Sequence, residues 1–298
     1  MKSNIRKTPI KFLLGQDSEF IMIHRGKCAP MIGKADDENG YDGTGFHKIS
    51  EVRSCPSECP LEIVNFIRHA FLRKSRKYPQ VLNYAWKAGS YFLHPIGSHT
   101  HFGVKKDVID HSTANKIISN YCGSLSLAIE NPKEAYDRRN TGEGEYGRAS
   151  DFREQFHGGF ESRVFSSFLS SPAIAAAHLC LVKTVMYELL NNSAWHPTER
   201  FVDKDFIEVR ADKVQYHFED LWKEISGMQL YHQYKEYIDI FKFLITNNLT
   251  WEQRNTDGTP TCMKVAWGIC SNIPEQPKPE KPPFKLQPVN GNPIFANL

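Results

Sequence analysis

Four short segments of the sequence each place two chemically reactive side chains two residues apart. In an extended strand, residues i and i+2 point to the same side and lie about 7 Å apart along the strand. Polar alternation alone also fits a strand with one solvated face, but a His-x-His pair flanked by glycines is not typical of such a face. The pairs are Asp17/Glu19, Glu51/Arg53, His99/His101 and Glu161/Arg163.

These residue types are suited to one task, the binding of a metal-complexed nucleotide. Carboxylates and imidazoles bind divalent metals, and hard oxygen ligands suit Mg²⁺ or Mn²⁺ bridged to phosphate. Arginines on the same surface can hold phosphate oxygens in a bidentate manner. Glycines near the pairs would let a ligand or a neighbouring backbone come close. The pattern therefore favours a nucleotide–metal site on one face of a sheet.

The pairs require strands to position them, and the hydrophobic pattern predicts both strands and helices. Strand-like patterns cover residues 11–24, 46–53, 91–104 and 159–165. Helical periodicity covers residues 61–76, 109–129 and 171–191, and residues 201–247 are predicted to be largely helical. Ser171 and Pro172 are typical of a helix N-terminus.

Three segments lack a core-forming pattern. Residues 34–45 are polar and glycine-rich, which predicts a hairpin or lid loop. Residues 131–159 predict a long functional loop, with positive charge from Arg138, Arg139, Arg148 and Arg153. Residues 272–298 contain seven prolines, which predicts an extended tail on the surface.

Composition bounds the class of protein. The 298 residues are 40% hydrophobic, enough to form one catalytic domain over residues 1–271 followed by the tail. A net charge of +3 is too small to indicate a nucleic-acid or membrane-surface protein. The longest apolar stretch, residues 170–190, contains His178 and Lys183, which argues against a membrane span. Seven cysteines and no secretory pattern at the N-terminus favour the cytoplasm.

Five motifs follow one another in an order that resembles a known family. They are GQDSEF at residues 15–20, an acid (Asp42) followed by Glu51-x-Arg53, GSHTHFG at residues 97–103, an RR…YG…R stretch (Arg138, Arg139, Tyr146, Gly147, Arg153), and GFESR at residues 159–163. The series is similar to that of the carboxylate–amine ligases (amidoligases) related to glutamine synthetase and glutamate–cysteine ligase, and within them to the phage-encoded branch, type 2. It spans about residues 13–190, and residues 191–271 carry no motif of this kind.

This resemblance implies an α+β fold, with a glutamine-synthetase-like catalytic domain made of a largely antiparallel sheet with helices packed on one face. It also implies ATP and Mg²⁺ (or Mn²⁺) as cofactors. The metal ligands carried over from the motifs are Asp17, Glu19, Glu51, His99 and Glu161. The candidate catalytic residues are Arg163, Arg153 and Arg53, and the candidate nucleotide ligands are Arg138, Arg139, Arg148, Arg153 and Arg163.

The expected activity is an ATP- and Mg²⁺-dependent ligation that forms an amide or peptide-like bond through an acyl phosphate. The expected partners are small-molecule or peptide carboxylates and amines, in the host cytoplasm if the protein is phage-encoded. Nucleic acid is expected only as a substrate for modification, and a homo-oligomer stays open. One alternative is a metal-dependent amide hydrolase in which His99, His101 and an acid activate water. The other is a non-catalytic phage binding protein that retains the fold and docks a partner through its proline-rich tail.

Overall fold

The computed structural model describes residues 8–24, 27–29, 39–41, 49–89, 95–140, 146–252 and 262–269. The predicted tail, residues 272–298, lies outside these ranges, as does most of the predicted loop at residues 34–45, including Asp42.

A single antiparallel sheet forms one side of the described protein. Its strands are β1 (Leu14–His24), β2 (Lys27–Cys28), β3 (Asn39–Tyr41), β4 (Ile49–Arg53), β5 (Ala85–Lys87), β6 (Ser98–Phe102), β7 (Phe152–Glu154) and β8 (Phe160–Ser162). The order across the sheet is β3-β4-β1-β6-β8-β7, and β2 and β5 also pair with β1. Every pairing is antiparallel. The long strand β1 is therefore the centre to which the other segments attach.

Helices supply the rest of the described structure. They are α1 (Pro60–Lys77), α2 (His111–Ile118), α3 (Ser124–Ile129), α4 (Pro132–Asn140), α5 (Pro172–Asn191), α6 (Asp203–Ile207), α7 (Ala211–Ser226), α8 (Tyr231–Thr246) and α9 (Met263–Ala266). A π-helical turn, Ser119–Gly123, joins α2 to α3. The predicted α+β class, with a largely antiparallel sheet, is confirmed.

The main core lies between the back of the sheet and the helices. Phe20 and Val52 on the sheet are fully buried in one hydrophobic cluster with Phe71 of α1 and Leu179 of α5. Burial of such side chains contributes about 1.5–3 kcal/mol each to folding, so the apolar alternation of β1 and β4 fixes which face turns inward. The opposite face carries the polar side chains and, at one end, a small separate cluster of Ile21 and Ile49 with Ile96.

Helix α5 is the most buried helix of the core. It starts as predicted, since the Ser171 hydroxyl accepts a hydrogen bond from the Ile174 N–H at 3.2 Å and Pro172 follows the cap. It is long and apolar enough to cross a membrane, yet 78% of its most apolar 18-residue stretch is buried inside the protein. Its hydrophobicity is therefore explained by the core that it fills.

The predicted loop at residues 131–159 is largely ordered, which corrects the sequence reading. It contains α4 and β7, and the side chains of Arg138 and Arg139 are buried. α4 was missed because so polar a sequence shows no helical period of apolar residues. Two of its buried side chains are arginines, a residue type that normally indicates a solvent-exposed position. The predicted helical region 201–247 is confirmed in substance, but it divides into α6, α7 and α8.

Candidate active site

The sheet register places the four predicted pairs on the same face. Glu19 lies opposite Glu51 across β1 and β4, and Asp17 lies opposite Arg53 on one side and His99 on the other. Residues directly opposite in an antiparallel pair point to the same side. His101 in turn lies opposite Glu161, which lies opposite Arg153 of β7. The surface formed by these residues is termed the polar face below.

Glu19 and Glu51 form the first group of donors on the polar face. Both residues are buried, at 4% and 7% exposure. The Oε2 atom of Glu19 accepts a hydrogen bond from the Gly97 N–H at 2.6 Å, and Glu51 forms an ion pair with Arg53. Two buried carboxylates on neighbouring strands repel each other unless cations or N–H donors compensate them. A divalent cation would provide that compensation.

His99 and Glu161 form the second group. The Nδ1 atom of His99 lies 3.4 Å from Oε1 of Glu161, and its Nε2 atom is hydrogen-bonded to the hydroxyl of Tyr146. Burial, together with the positive charges of Arg163 and other nearby arginines, holds the pKa of His99 well below its usual value. The imidazole is therefore neutral, which is the form that binds a metal.

Asp17 and His101 form a hydrogen-bonded pair at the more exposed side of the polar face. The Nε2 atom of His101 lies 3.0 Å from Oδ2 of Asp17. Burial lowers the pKa of His101, but the hydrogen bond and the charge of Asp17 outweigh it, so the pKa is raised overall. His101 shares the polar face with the residues assigned from the motifs.

Glu161 is held by several donors at once. Arg153 binds it in a bidentate manner, from Nε to Oε2 at 3.0 Å and from Nη2 to Oε1 at 2.7 Å, and the Gln155 side chain donates to Oε2 at 2.5 Å. The carboxylate is 1% exposed, whereas Arg153 is 55% exposed. Arg153 is thus the accessible partner and could exchange Glu161 for an anionic ligand.

Among the predicted arginines, Arg163 keeps capacity for a further ligand. Its Nε atom is buried and makes no hydrogen bond to the residues that the structure describes; Oε1 of Glu161 lies 3.9 Å from it, within ion-pair range but too far for a hydrogen bond. Its Nη1 atom donates to Oδ1 of Asp151 at a long 3.4 Å. A buried donor without an acceptor is costly unless a ligand or water supplies one. An anion such as phosphate is suited to this position.

Arg138 and Arg139 are placed differently from the expectation. The Arg138 guanidinium donates to the backbone oxygens of Ile96 (3.0 Å), Val164 (3.2 Å) and Arg163 (2.8 Å). Arg139 donates to Glu130 and to the backbone oxygen of Gly147. Both guanidinium groups are engaged by protein acceptors, so the structure supports a positioning role for them and not direct contact with a nucleotide.

Arg148, which was also predicted to bind nucleotide, is half-buried just after Gly147. Arg53 also pairs with a glutamate of the polar face, through its Nη2 atom and Oε2 of Glu51.

The donor set is chemically suitable for Mg²⁺ or Mn²⁺, because it combines carboxylate oxygens with one neutral imidazole. In the part of the chain that the structure describes, no three such side chains converge on one point. Arginines or a backbone N–H hold the three glutamates instead, as given above. The residues whose chemistry fits such a metal are Glu19, Glu51, His99, Asp17 and Glu161. For the metal to bind, it must replace the arginines that now neutralise the glutamates.

Three residues near the polar face were not assigned a role from the sequence. Tyr146 covers His99, and Gln155 donates to Glu161. Lys87 of β5 lies opposite Ile21, two residues beyond Glu19 along β1. The Tyr-Gly dipeptide in the motif stretch was a visible signal for Tyr146. Lys87 could not be found in this way, because β5 has only three residues and is too short to show a periodic pattern.

Lys87 belongs to a charged cluster at the edge of the polar face. Its Nζ atom lies 2.6 Å from Oε1 of Glu134 in α4 and 3.3 Å from Oε1 of Glu252. Burial and the neighbouring Glu252 raise the pKa of Glu134 to about 7, although Lys87 opposes that shift. Within the part of the chain that the structure describes, the cluster places two carboxylates around one lysine.

Replacing Glu134 by Gln is expected to stabilise the protein at about pH 8. The folded state keeps a proton on Glu134 up to about pH 7, whereas the unfolded chain loses it near the ordinary glutamate pKa of 4.5. Stability therefore falls as the pH rises through this window, and the penalty is complete above it. Glu134→Gln removes it, so calorimetry should show a gain of about 1–3 kcal/mol near pH 8 and almost none near pH 5. The exposed Glu236→Gln should change neither value, and a destabilised Glu134→Gln at pH 8 would contradict the assignment.

Comparison with solved structures found similar folds at low similarity. The ligase PafA in complex with the prokaryotic ubiquitin-like protein Pup aligns with 9% identity and a TM-score of 0.46, covering 87% of this chain and 63% of that chain. A bifunctional glutathione synthetase from Pasteurella multocida aligns with 8% identity and a TM-score of 0.48, covering 79% of this chain and 48% of that one. The chain thus spans between about half and two thirds of the length of these proteins, and we base no conclusion on them.

No curated protein sequence matches the chain. A family model does match it, over residues 10–260, and its description is "Phage phiEco32-like COOH.NH2 ligase-type 2". The match covers the described sheet, all five candidate metal ligands and the helices through α8. The resemblance seen in the motifs is confirmed, and the chain belongs to this family of carboxylate–amine ligases.

Proposed function

We propose that the protein is an ATP-dependent ligase that joins a carboxylate to an amine through an acyl phosphate. The observation that carries this proposal is the polar face itself. It gathers Glu19, Glu51, His99 and Glu161 on adjacent strands beside Arg163, whose buried Nε–H lacks an acceptor among the described residues. Metal ligands and an arginine with free capacity on one surface suit a triphosphate better than they suit a neutral substrate.

In the proposed reaction, a carboxylate oxygen attacks the γ-phosphorus of ATP and ADP leaves. The amine nitrogen then attacks the acyl carbon, and inorganic phosphate leaves. Phosphoryl transfer depends mostly on positioning and charge neutralisation, so no nucleophile from the protein is needed. Mg²⁺ or Mn²⁺ would neutralise charge on the phosphates. The residues that would hold the metal are Glu19, Glu51, His99, Asp17 and Glu161.

The chain's own cations have separate proposed roles. Arg163 donates hydrogen bonds to the oxygens of the transferring phosphoryl group. Arg153 and Arg53 release their glutamates when a metal binds, and they can then contact the anionic substrates. The substrates are proposed to be small-molecule or peptide carboxylates and amines, with the cytoplasm as the place of action.

Trapping the acyl phosphate tests the proposal. The protein is incubated with ATP, Mg²⁺, hydroxylamine and the proteinogenic amino acids as carboxylates, and both hydroxamate and nucleotide products are measured. We expect hydroxamate and ADP to form in equal amounts and only when all components are present. AMP and pyrophosphate would indicate adenylation chemistry instead. Amide cleavage that needs metal but not ATP would indicate the hydrolase, and no turnover despite normal metal and nucleotide binding would favour the non-catalytic alternative.

A further inference from the structure

Tyr146 lies over the centre of the polar face, between the groups proposed to bind metal and phosphate. Its hydroxyl is hydrogen-bonded to Nε2 of His99. Its ring lies between two guanidinium groups, with Cζ of Arg163 4.3 Å and Cζ of Arg138 4.7 Å from the ring centroid. One side chain therefore contacts both the proposed metal-binding imidazole and the proposed phosphate-binding arginine.

The turn that carries Tyr146 is held from several sides. The Gly147 N–H donates to Asp151 at 2.8 Å, and the Gly147 carbonyl accepts from Arg139 at 3.1 Å. Gly147 has a φ of +82°, and a Cβ there would overlap the Nη1 atom of Arg138, so only glycine fits. The backbone position of Tyr146 is thus fixed by the two buried arginines that precede it in the sequence.

A second anchor lies two residues further along the turn. The carbonyl of Ala149 accepts hydrogen bonds from the Asn115 side chain at 2.9 Å and from the Ser119 hydroxyl at 2.7 Å. Both donors lie on the buried helical segment that runs from α2 into the π-helical turn. The turn is therefore tied to the core, and Tyr146 has little freedom except rotation of its own side chain.

The hydroxyl of Tyr146 contacts both His99 and Arg163, whereas its ring contacts guanidinium groups. The Nδ1 atom of His99 faces the carboxylate of Glu161, so we assign the imidazole hydrogen to Nδ1 and the lone pair to Nε2. The phenol then donates to the atom through which His99 would bind a metal. The ring contacts Arg163 through its π face, which requires no hydroxyl, and the hydroxyl has a further hydrogen-bonding interaction with the same guanidinium.

Resting on the proposed function, we propose that Tyr146 is a positioning residue for both halves of the site. Its hydroxyl holds Nε2 of His99 until a metal takes that atom, and its ring holds Arg163 in the orientation that receives phosphate. The two arginines and the Tyr-Gly dipeptide of the motif stretch therefore act together. Arg138 and Arg139 fix the turn, and Tyr146 extends from the turn to the site.

Two substitutions separate the hydroxyl from the ring. Tyr146→Phe removes only the hydroxyl, so Mn²⁺ alone should bind about two- to tenfold more tightly, because one neutral hydrogen bond no longer competes for His99. Its affinity for a non-hydrolysable ATP analogue without metal should change less than in Tyr146→Leu, because the ring contact with Arg163 remains. Tyr146→Leu removes the ring as well and should weaken binding of the analogue by about two- to thirtyfold. Titration calorimetry measures both affinities.

The matched control is Tyr136, an exposed tyrosine of α4. Tyr136→Phe and Tyr136→Leu should leave both affinities unchanged. Unchanged Mn²⁺ affinity in Tyr146→Phe would overturn the role of the hydroxyl, and wild-type analogue affinity in a folded Tyr146→Leu would overturn the role of the ring. If Tyr146→Leu does not fold, Tyr146→Trp takes its place. Trp keeps an aromatic face, so this variant should retain the affinity for the ATP analogue. Loss of that affinity in Tyr146→Trp would also overturn the role of the ring. Failure of the proposed function would be visible separately, as a wild-type protein that binds neither Mn²⁺ nor the analogue, and it would remove this inference with it.

Discussion

Replacing Glu19 by Gln is expected to abolish the stabilisation of the protein by Mn²⁺. Glu19 lies at the centre of the polar face, directly opposite Glu51. Gln keeps the size of the side chain and an oxygen that can accept the Gly97 N–H, so the apo protein should fold normally. It lacks the charge that a hard divalent cation requires of its ligands. Mutation of residues that only hydrogen-bond to metal ligands already lowers metal affinity by about 10–100-fold. Loss of a direct ligand should therefore lower it by about a hundredfold or more.

Thermal unfolding with increasing Mn²⁺, with and without a non-hydrolysable ATP analogue, measures this effect. In the wild type, metal at a hundred times its Kd should add about 2.7 kcal/mol to the free energy of unfolding, and the analogue should add to that. Glu19→Gln should show neither gain at the same concentrations, and its ligase turnover should be lost in proportion. Glu208→Gln, at an exposed acid after α6, is the control and should behave as the wild type. A Glu19→Gln protein with an undiminished metal response would remove Glu19 from the site.

Replacing Arg163 by Lys is expected to reduce ATP-dependent turnover by tenfold or more. Lys keeps the positive charge but loses the planar fork that binds two phosphate oxygens at once. A lost charge-assisted hydrogen bond costs about 1.5–3 kcal/mol, which is about 10–150-fold in rate or affinity. The buried Nε–H, which finds no acceptor among the described residues, is the donor that a phosphate would use.

The competing explanation is that Arg163 serves only to hold Asp151, which it contacts at 3.4 Å. In that case Arg163→Lys would lower the melting temperature and leave nucleotide affinity intact, and the phosphate role would fail. Arg210→Lys is the matched control, because Arg210 also pairs with an aspartate, Asp212, at an exposed position away from the sheet. It should change neither activity nor nucleotide affinity.

The strand pairs were predictable because a strand has a period of two. Asp17 and Glu19 must share a face whenever residues 14–24 are extended, whatever the strand pairs with. The same reasoning gave His99/His101 and Glu161/Arg163 before any partner strand was known. The apolar residues that follow the pairs on the alternate face, such as Phe20 and Phe102, then oblige the polar face to turn away from the core.

Whether the arginines are occupied or available was not predictable in this way. Arg138, Arg139, Arg153 and Arg163 look alike in the sequence, each in a polar stretch with acids nearby. Whether each guanidinium is occupied depends on acceptors outside its own element, such as the Ile96 carbonyl for Arg138 and Glu130, which lies just before α4, for Arg139. Sequence reasoning assigned all of them to the nucleotide, and the structure leaves Arg163 and the exposed Arg153 as the better candidates among these four.

The sequence by itself determined the chemistry of the site and the face on which each pair lies, because side-chain type and strand period are local properties. Only the tertiary structure decided which pairs meet. The register that sets Glu19 opposite Glu51, and His101 opposite Glu161, joins segments far apart in the chain. A slip of one residue in any pairing would have turned that strand's acids into the core. Register follows from the packing of the whole back face against α1 and α5, and no single segment contains that information.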